Sequence, residues 1–121
     1  MVCYFSATGN SRWIAAQLAE RAGVLLVSIA DIMRANDAAA LSLPLSDSEY
    51  TAIVSPIHAW GLPRIVEAFM RHVTFRGYDG QPIDIVLTCG DDCGRADEQA
   101  RHLMRQRGWQ VGQIVALQMP N

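Results

Sequence analysis

The chain has no lysine, so all 10 of its cationic side chains are arginines. Without a side-chain amine no Schiff base can form with a carbonyl group. A P-loop nucleotide site would also lack its phosphate-binding lysine. Cysteine is scarce, with only Cys3, Cys89 and Cys93. An odd count with no CxxC pair supports neither a disulfide framework nor an iron–sulfur or zinc site. Free thiols suit a reducing cytoplasm. Charge of one sign is also missing, the formal net charge being -2. No basic excess is present to replace phosphate counterions, which excludes nucleic acid as a partner on bulk charge. No apolar run reaches membrane-spanning length, so no membrane partner is expected. The apolar start, residues 1–7, has no basic segment ahead of it and runs into a polar turn. It reads as a strand and not as a signal peptide.

What is there fits one globular domain: 121 residues, half of them hydrophobic, with a mean hydropathy of +0.10. Apolar runs rich in strand formers fall at Val2–Phe5, Val24–Ile29, Thr51–Ile57, Ile83–Thr88 and Gln113–Met119. Helical spacing falls at Ser11–Ala22, stopped by Gly23, and in the segment begun by Pro63 that presents Ile65, Val66, Phe69, Met70 and Val73. A third helix is expected at Asp97–Arg107, with Ala96, Ala100, Leu103 and Met104 inward. Between Asp31 and Tyr50 no clean period exists, and an irregular connection with at most one short helix is expected. Alternating buried strands and helices predict an α/β, doubly wound, five-stranded parallel sheet. The chain ends at its fifth strand, so the helix expected after it is missing and one sheet face should keep an apolar strip.

Ligands of such sheets bind beyond the carboxyl ends of the strands. Three loops leave those ends, and all three have unusual composition. The first, Ser6-Ala7-Thr8-Gly9-Asn10-Ser11, offers hydroxyls, an amide and backbone N–H groups at a helix start. That is an anion site suited to a terminal phosphate, and Gly9 lets the backbone curl. The plain alternative is an N-cap with a glycine turn. The second, Pro56–Leu62, holds Trp60 beside Gly61. Trp60 either stacks on a planar ring or closes the core under the loop. His58 either flanks that ring, bonds a loop carbonyl, or is simply solvated. The third is Thr88-Cys89-Gly90-Asp91-Asp92-Cys93-Gly94. Its N–H groups suit the polar edge of a ring, with Gly90 allowing close approach. Asp91 and Asp92 have no third partner nearby, so they make a poor metal site, and helix capping is their plain role. Elsewhere, Cys3 reads as core, Trp13 as packing its helix or lying beside the ligand, and Trp109 as covering a helix end.

The first loop resembles the phosphate loop of flavodoxins, Ser/Thr-x-Thr-Gly-x-Ser/Thr. The resemblance spans the chain. It extends to bacterial proteins in which a flavodoxin-like domain precedes a two-cluster ferredoxin module. Those share FSATGNS, P-x-x-x-WG-x-P, LTCGDD and MPN, here Phe5–Ser11, Pro56–Pro63, Leu87–Asp92 and Met119–Asn121. The ferredoxin cysteines are not in this sequence, and His58 stands where the resemblance implies tyrosine. The resemblance implies the sheet order 2-1-3-4-5 and FMN as cofactor. It implies cofactor contacts from Ser6, Thr8, Gly9, Asn10, Ser11, Pro56, His58, Trp60, Gly61, Thr88, Cys89, Gly90 and Asp91. It implies electron transfer through the flavin semiquinone and hydroquinone to redox partner proteins, such as a ferredoxin or iron–sulfur module. The peptide after Trp60 is expected to face the flavin and to flip, with Gly61 accepting positive φ.

Rivals are weighed on the same residues. A receiver domain needs an acidic cluster after the first strand and a lysine near the fifth, and neither is present. A small tyrosine phosphatase needs Cys-x5-Arg, and the gap from Cys3 to Arg12 is too long. An FMN-dependent oxidoreductase, a quinone reductase or flavodoxin-like oxidase, would use the same loops and add a substrate pocket. A flavin-free interaction domain is the third reading. For the uncovered sheet face two readings are open: the chain is a piece of a longer one, or a homodimer forms through this face.

Overall fold

The computed structural model describes residues 1–90 and 93–119. In chain order they form β1 (Val2–Tyr4), α1 (Asn10–Ala22), β2 (Leu26–Ser28), α2 (Ile29–Ala35) and a 3-10 turn (Ala38–Leu41). Next come β3 (Ser42–Pro44), β4 (Thr51–Pro56), α3 (Arg64–His72) and β5 (Thr74–Arg76). The last three are β6 (Ile83–Cys89), α4 (Ala96–Gln106) and β7 (Val111–Gln118). The main sheet runs β2-β1-β4-β6-β7, and all its pairings are parallel. Counting main-sheet strands alone, this is the 2-1-3-4-5 order of a flavodoxin-like fold.

Both faces of the central strands are buried, which is why those strands read as unbroken apolar runs. Along β6, Ile83, Ile85 and Leu87 turn toward α3 and α4, joining Ile53, Phe69, Met70 and Met104 in the larger core. Each such side chain contributes roughly 1.5–3 kcal/mol relative to exposure. The opposite face belongs to α1 alone, packed through Ile14, Ala15 and Ala19 onto Val2, Ala52 and Val54. Beyond α1 the cover runs out. Val115 and Leu117 of β7 remain 38% and 37% exposed, and Trp13 on the outer side of α1 is 63% exposed. Trp13 therefore does not pack into the core. Trp109 does, with its ring 5.4 Å from that of Phe75 and the Arg107 guanidinium 4.7 Å above it.

Three local differences from the sequence expectation have physical reasons. The second strand is shorter because the Val24 N–H donates to Ala19 O at 3.0 Å, closing α1 instead of starting a strand. The helix after it is longer because the Ser28 hydroxyl accepts the Asp31 N–H at 3.2 Å and caps it. The segment expected to be irregular holds β3, which pairs with β5 in a separate two-stranded sheet. Strands of three residues containing Pro44 carry no readable alternation, and only the distant partner makes them strands. No helix among the described residues is long and apolar enough to cross a membrane.

Candidate functional site

Because β1, β4 and β6 are adjacent and parallel, the loops that follow them meet at one sheet edge. They enclose an open cleft of about 150 Å3. Ala7, Thr8 and Asn10 line it from the first loop, Pro56, Ile57 and His58 from the second, and Thr88, Cys89 and Gly90 from the third. Met119, just after β7, completes the lining. A larger cleft of about 640 Å3 lies at the opposite edge, between Gly23–Leu25 and Pro44–Ser46. It gathers no comparable set of donors, Glu49 being its one charged lining residue.

The first loop is arranged around a helix start that nothing caps. Gly9 is the N-cap residue of α1, at φ 98°, and no side chain bonds the first turn. The Ser6 hydroxyl accepts the Gly9 N–H at 2.9 Å and keeps its own proton to donate. Ser11 is buried, and its hydroxyl pairs with that of Thr88 at 3.0 Å. That bond ties the first loop to the third. Ser6 and Ser11 thus help shape the loop, while Thr8, exposed, and Asn10, half-buried, both line the cleft. Among the described residues, those lining the cleft include no aspartate, glutamate or arginine. An anion here would be held by N–H and hydroxyl donors and by the positive end of α1.

The second loop is a two-residue turn. The His58 N–H donates to Gly61 O at 2.8 Å, and the Gly61 N–H returns to His58 O at 2.9 Å. Between them Ala59 and Trp60 both lie at positive φ, 48° and 65°. A left-handed conformation costs a residue with a β-carbon about 1–2 kcal/mol. The turn's own two hydrogen bonds help offset this, as does the Arg95 N–H donating to Trp60 O at 3.3 Å, each worth about 0.5–1.5 kcal/mol. The result holds Trp60 66% exposed, so it does not close the core under the loop, and it is not itself among the residues lining the cleft. His58 is exposed and sets its ring edge-on to Phe5, 6.2 Å between centroids.

Gly61 is not itself at positive φ in this structure. Positive φ falls on the two residues before it, and the peptide joining Trp60 to Gly61 is bonded at both ends, its C=O to Arg95 and its N–H to His58. Flipping it would break both bonds. What glycine supplies there is room, since a β-carbon would stand 3.1 Å from Gln99 Oε1. Gln99 is a residue the sequence did not single out. Its Oε1 accepts the Leu62 N–H at 2.9 Å and its Nε2 donates to Glu67 at 3.1 Å, so it props the turn from α4. An amide on a helix otherwise read as a plain amphipathic surface gives no local signal of this.

The third loop brings a correction. Cys89 and Cys93 are joined in a disulfide, with Cα atoms 5.3 Å apart, and Cys3 alone is free and buried. The sequence spacing, an isolated Cys-x3-Cys, gave no sign of this pairing. The pairing also removes free thiols as an argument for a reducing compartment. Asp91 and Asp92 lie outside the described residues, as does the Pro120-Asn121 end of the last motif.

No protein-family model and no curated protein matches the chain. Solved structures do. A Bacteroides uniformis protein assigned as a flavoprotein superposes with a TM-score of 0.66 at 22% identity, covering 100% of this chain and 90% of that one. The two-electron-reduced flavodoxin of Megasphaera elsdenii gives 0.63 at 19%, covering 100% and 89%. The Trp repressor binding protein of Bacillus subtilis gives 0.64 at 11%, covering 100% and 86%. At these identities the likeness establishes a flavodoxin-like fold.

The contact between the second and third loops is testable through one glycine. Gly94 lies at φ 58°, and a β-carbon there would stand 2.5 Å from Trp60 O. Gly108 lies at φ 72° with nothing within 4 Å. Gly108→Ala should cost the left-handed term alone, about 1–2 kcal/mol. Gly94→Ala should add overpacking, for a total of roughly 2–5 kcal/mol, and change the tryptophan emission. Urea unfolding of the two variants checks this, and equal losses would show that Gly94 does not support the Trp60 turn.

Proposed function

We propose that the chain binds FMN non-covalently in this cleft and carries electrons between redox proteins. The observation behind it is the meeting, at one edge, of an uncapped α1 start, an exposed Thr8 and an exposed Trp60. The donor set suits a phosphate monoester. The first loop has no GxGxxG along which a pyrophosphate could run, which favours FMN over FAD. A cleft of about 150 Å3 is smaller than a whole-ligand pocket. It fits the phosphate end, leaving Trp60 and His58 as the aromatic groups available to the ring. FMN, when bound, supplies a centre that takes up and releases one or two electrons. The chain supplies the anion site, the aromatic groups and the backbone N–H groups of residues 88–90.

No long insertion separates the elements around the cleft. This favours a carrier over an FMN-dependent oxidoreductase, which needs a substrate pocket of its own. A carrier also needs a surface for its partner. Trp13, Val115 and Leu117 form an apolar strip beside a shallow cleft between α1 and β7. Strips of this kind mark interaction surfaces, and self-association through it is part of the proposal.

Mass spectrometry of cofactor released from the purified protein should find FMN, and recovery of FAD would contradict the phosphate site. Thr8→Ala should weaken FMN binding by about 1.5–3 kcal/mol, the worth of a hydrogen bond to a charged group. Unchanged affinity would move the phosphate elsewhere. Light scattering should show a dimer that Leu117→Asp disperses, and a monomer at every concentration would refute self-association.

A further inference from the structure

Cys89 is the last residue of β6 and lines the cleft with Thr88 and Gly90, facing Thr8 and Asn10 of the first loop. Its disulfide partner Cys93 stands at the far end of the same loop, half-buried, one residue before the glycine that packs on Trp60. The disulfide therefore lies in the wall of the proposed flavin site. As a staple it has little to hold. Few residues separate the two cysteines, and the entropy removed by a cross-link falls with loop length. The loop ends are also fixed without it. Cys89 O accepts the Met119 N–H at 2.9 Å, and the Arg95 N–H is bonded to Trp60 O.

We infer that the Cys89–Cys93 pair is a second redox centre that exchanges two electrons with the bound flavin. The inference rests on the FMN reading. In one direction the two-electron-reduced flavin gives up two electrons and two protons, the S–S bond breaks, and each sulfur leaves as a thiol. In the other direction the dithiol closes to the disulfide and the oxidised flavin takes up the same electrons and protons. No further reactant is needed.

The surroundings suit both states of the pair. Leu117 O lies 3.7 Å from Cys89 Sγ, so a reduced thiol would find an acceptor in place. The remaining cysteine does not compete. Cys3 is fully buried in β1, and burial pushes its thiol up to about 12, which keeps it from forming the reactive thiolate near neutral pH. Electron exchange between the cleft and the loop can therefore proceed without scrambling the pairing.

The test uses the FMN-loaded protein without oxygen. The flavin is reduced by light with EDTA as donor, the sample is quenched in acid, and thiols are alkylated under denaturing conditions and counted by intact mass. Before illumination one thiol, Cys3, should be labelled, and afterwards all three. Full bleaching should take four electrons per FMN in the wild-type protein and two in Cys93→Ser. The apoprotein under the same light should keep one label. FMN that bleaches with two electrons while the label count stays at one overturns the exchange and leaves the flavin site standing. Three labels before illumination overturn it as well. Failure to bind FMN overturns both readings together.

Discussion

The parallel pairing of β1, β4 and β6 decides where everything else goes. In a parallel sheet every strand ends on the same side, and neighbouring strands bring their following loops side by side. The register is continuous from Val2–Tyr4 through Ala52–Val54 to Asp84–Val86. Loops whose hydroxyls lie 77 residues apart in sequence therefore meet within bonding reach, Ser11 with Thr88. The two faces of these strands are buried by helices of different number. Three cover one face and α1 the other. On the α1 side β7 is left partly bare, with Val115 and Leu117 exposed.

Much of this was readable in the sequence, for definable reasons. The five main strands and three longer helices announce themselves by unbroken apolar runs and by helical spacing. The three loops stand out because hydroxyls, glycines and a tryptophan crowd directly after strands. The unread parts all depend on contacts from elsewhere in the chain. Ala59-Trp60 is an unfavoured pair for a left-handed turn, and Gly94, Arg95 and Gln99 from beyond β6 hold it. β3 and β5 exist only through each other. The Cys89–Cys93 bond follows the path of a loop, which the spacing of the two cysteines does not describe. The roles of the loop hydroxyls divide in the same way. Their presence was legible, but the bonds of Ser6 with Gly9 and of Ser11 with Thr88 required the geometry.

Among the described residues no aspartate, glutamate or arginine lines the cleft. An anion bound as proposed would be held by oriented N–H groups and the α1 dipole. Such donors are held by the backbone and change little on binding. The same economy appears in the Trp60 turn, where strain at two residues is balanced by hydrogen bonds of similar total size. A rigid turn of this kind presents an aromatic surface without the cost of ordering it at each binding event.

Hydrogen exchange of the apoprotein with and without FMN, read by peptide, tests the central claim most directly. The account predicts that FMN slows exchange in three separate segments, residues 6–11, 56–61 and 88–94, and leaves the opposite sheet edge at residues 23–25 and 44–49 unchanged. Protection confined to that opposite edge, or none in the first loop, would contradict it.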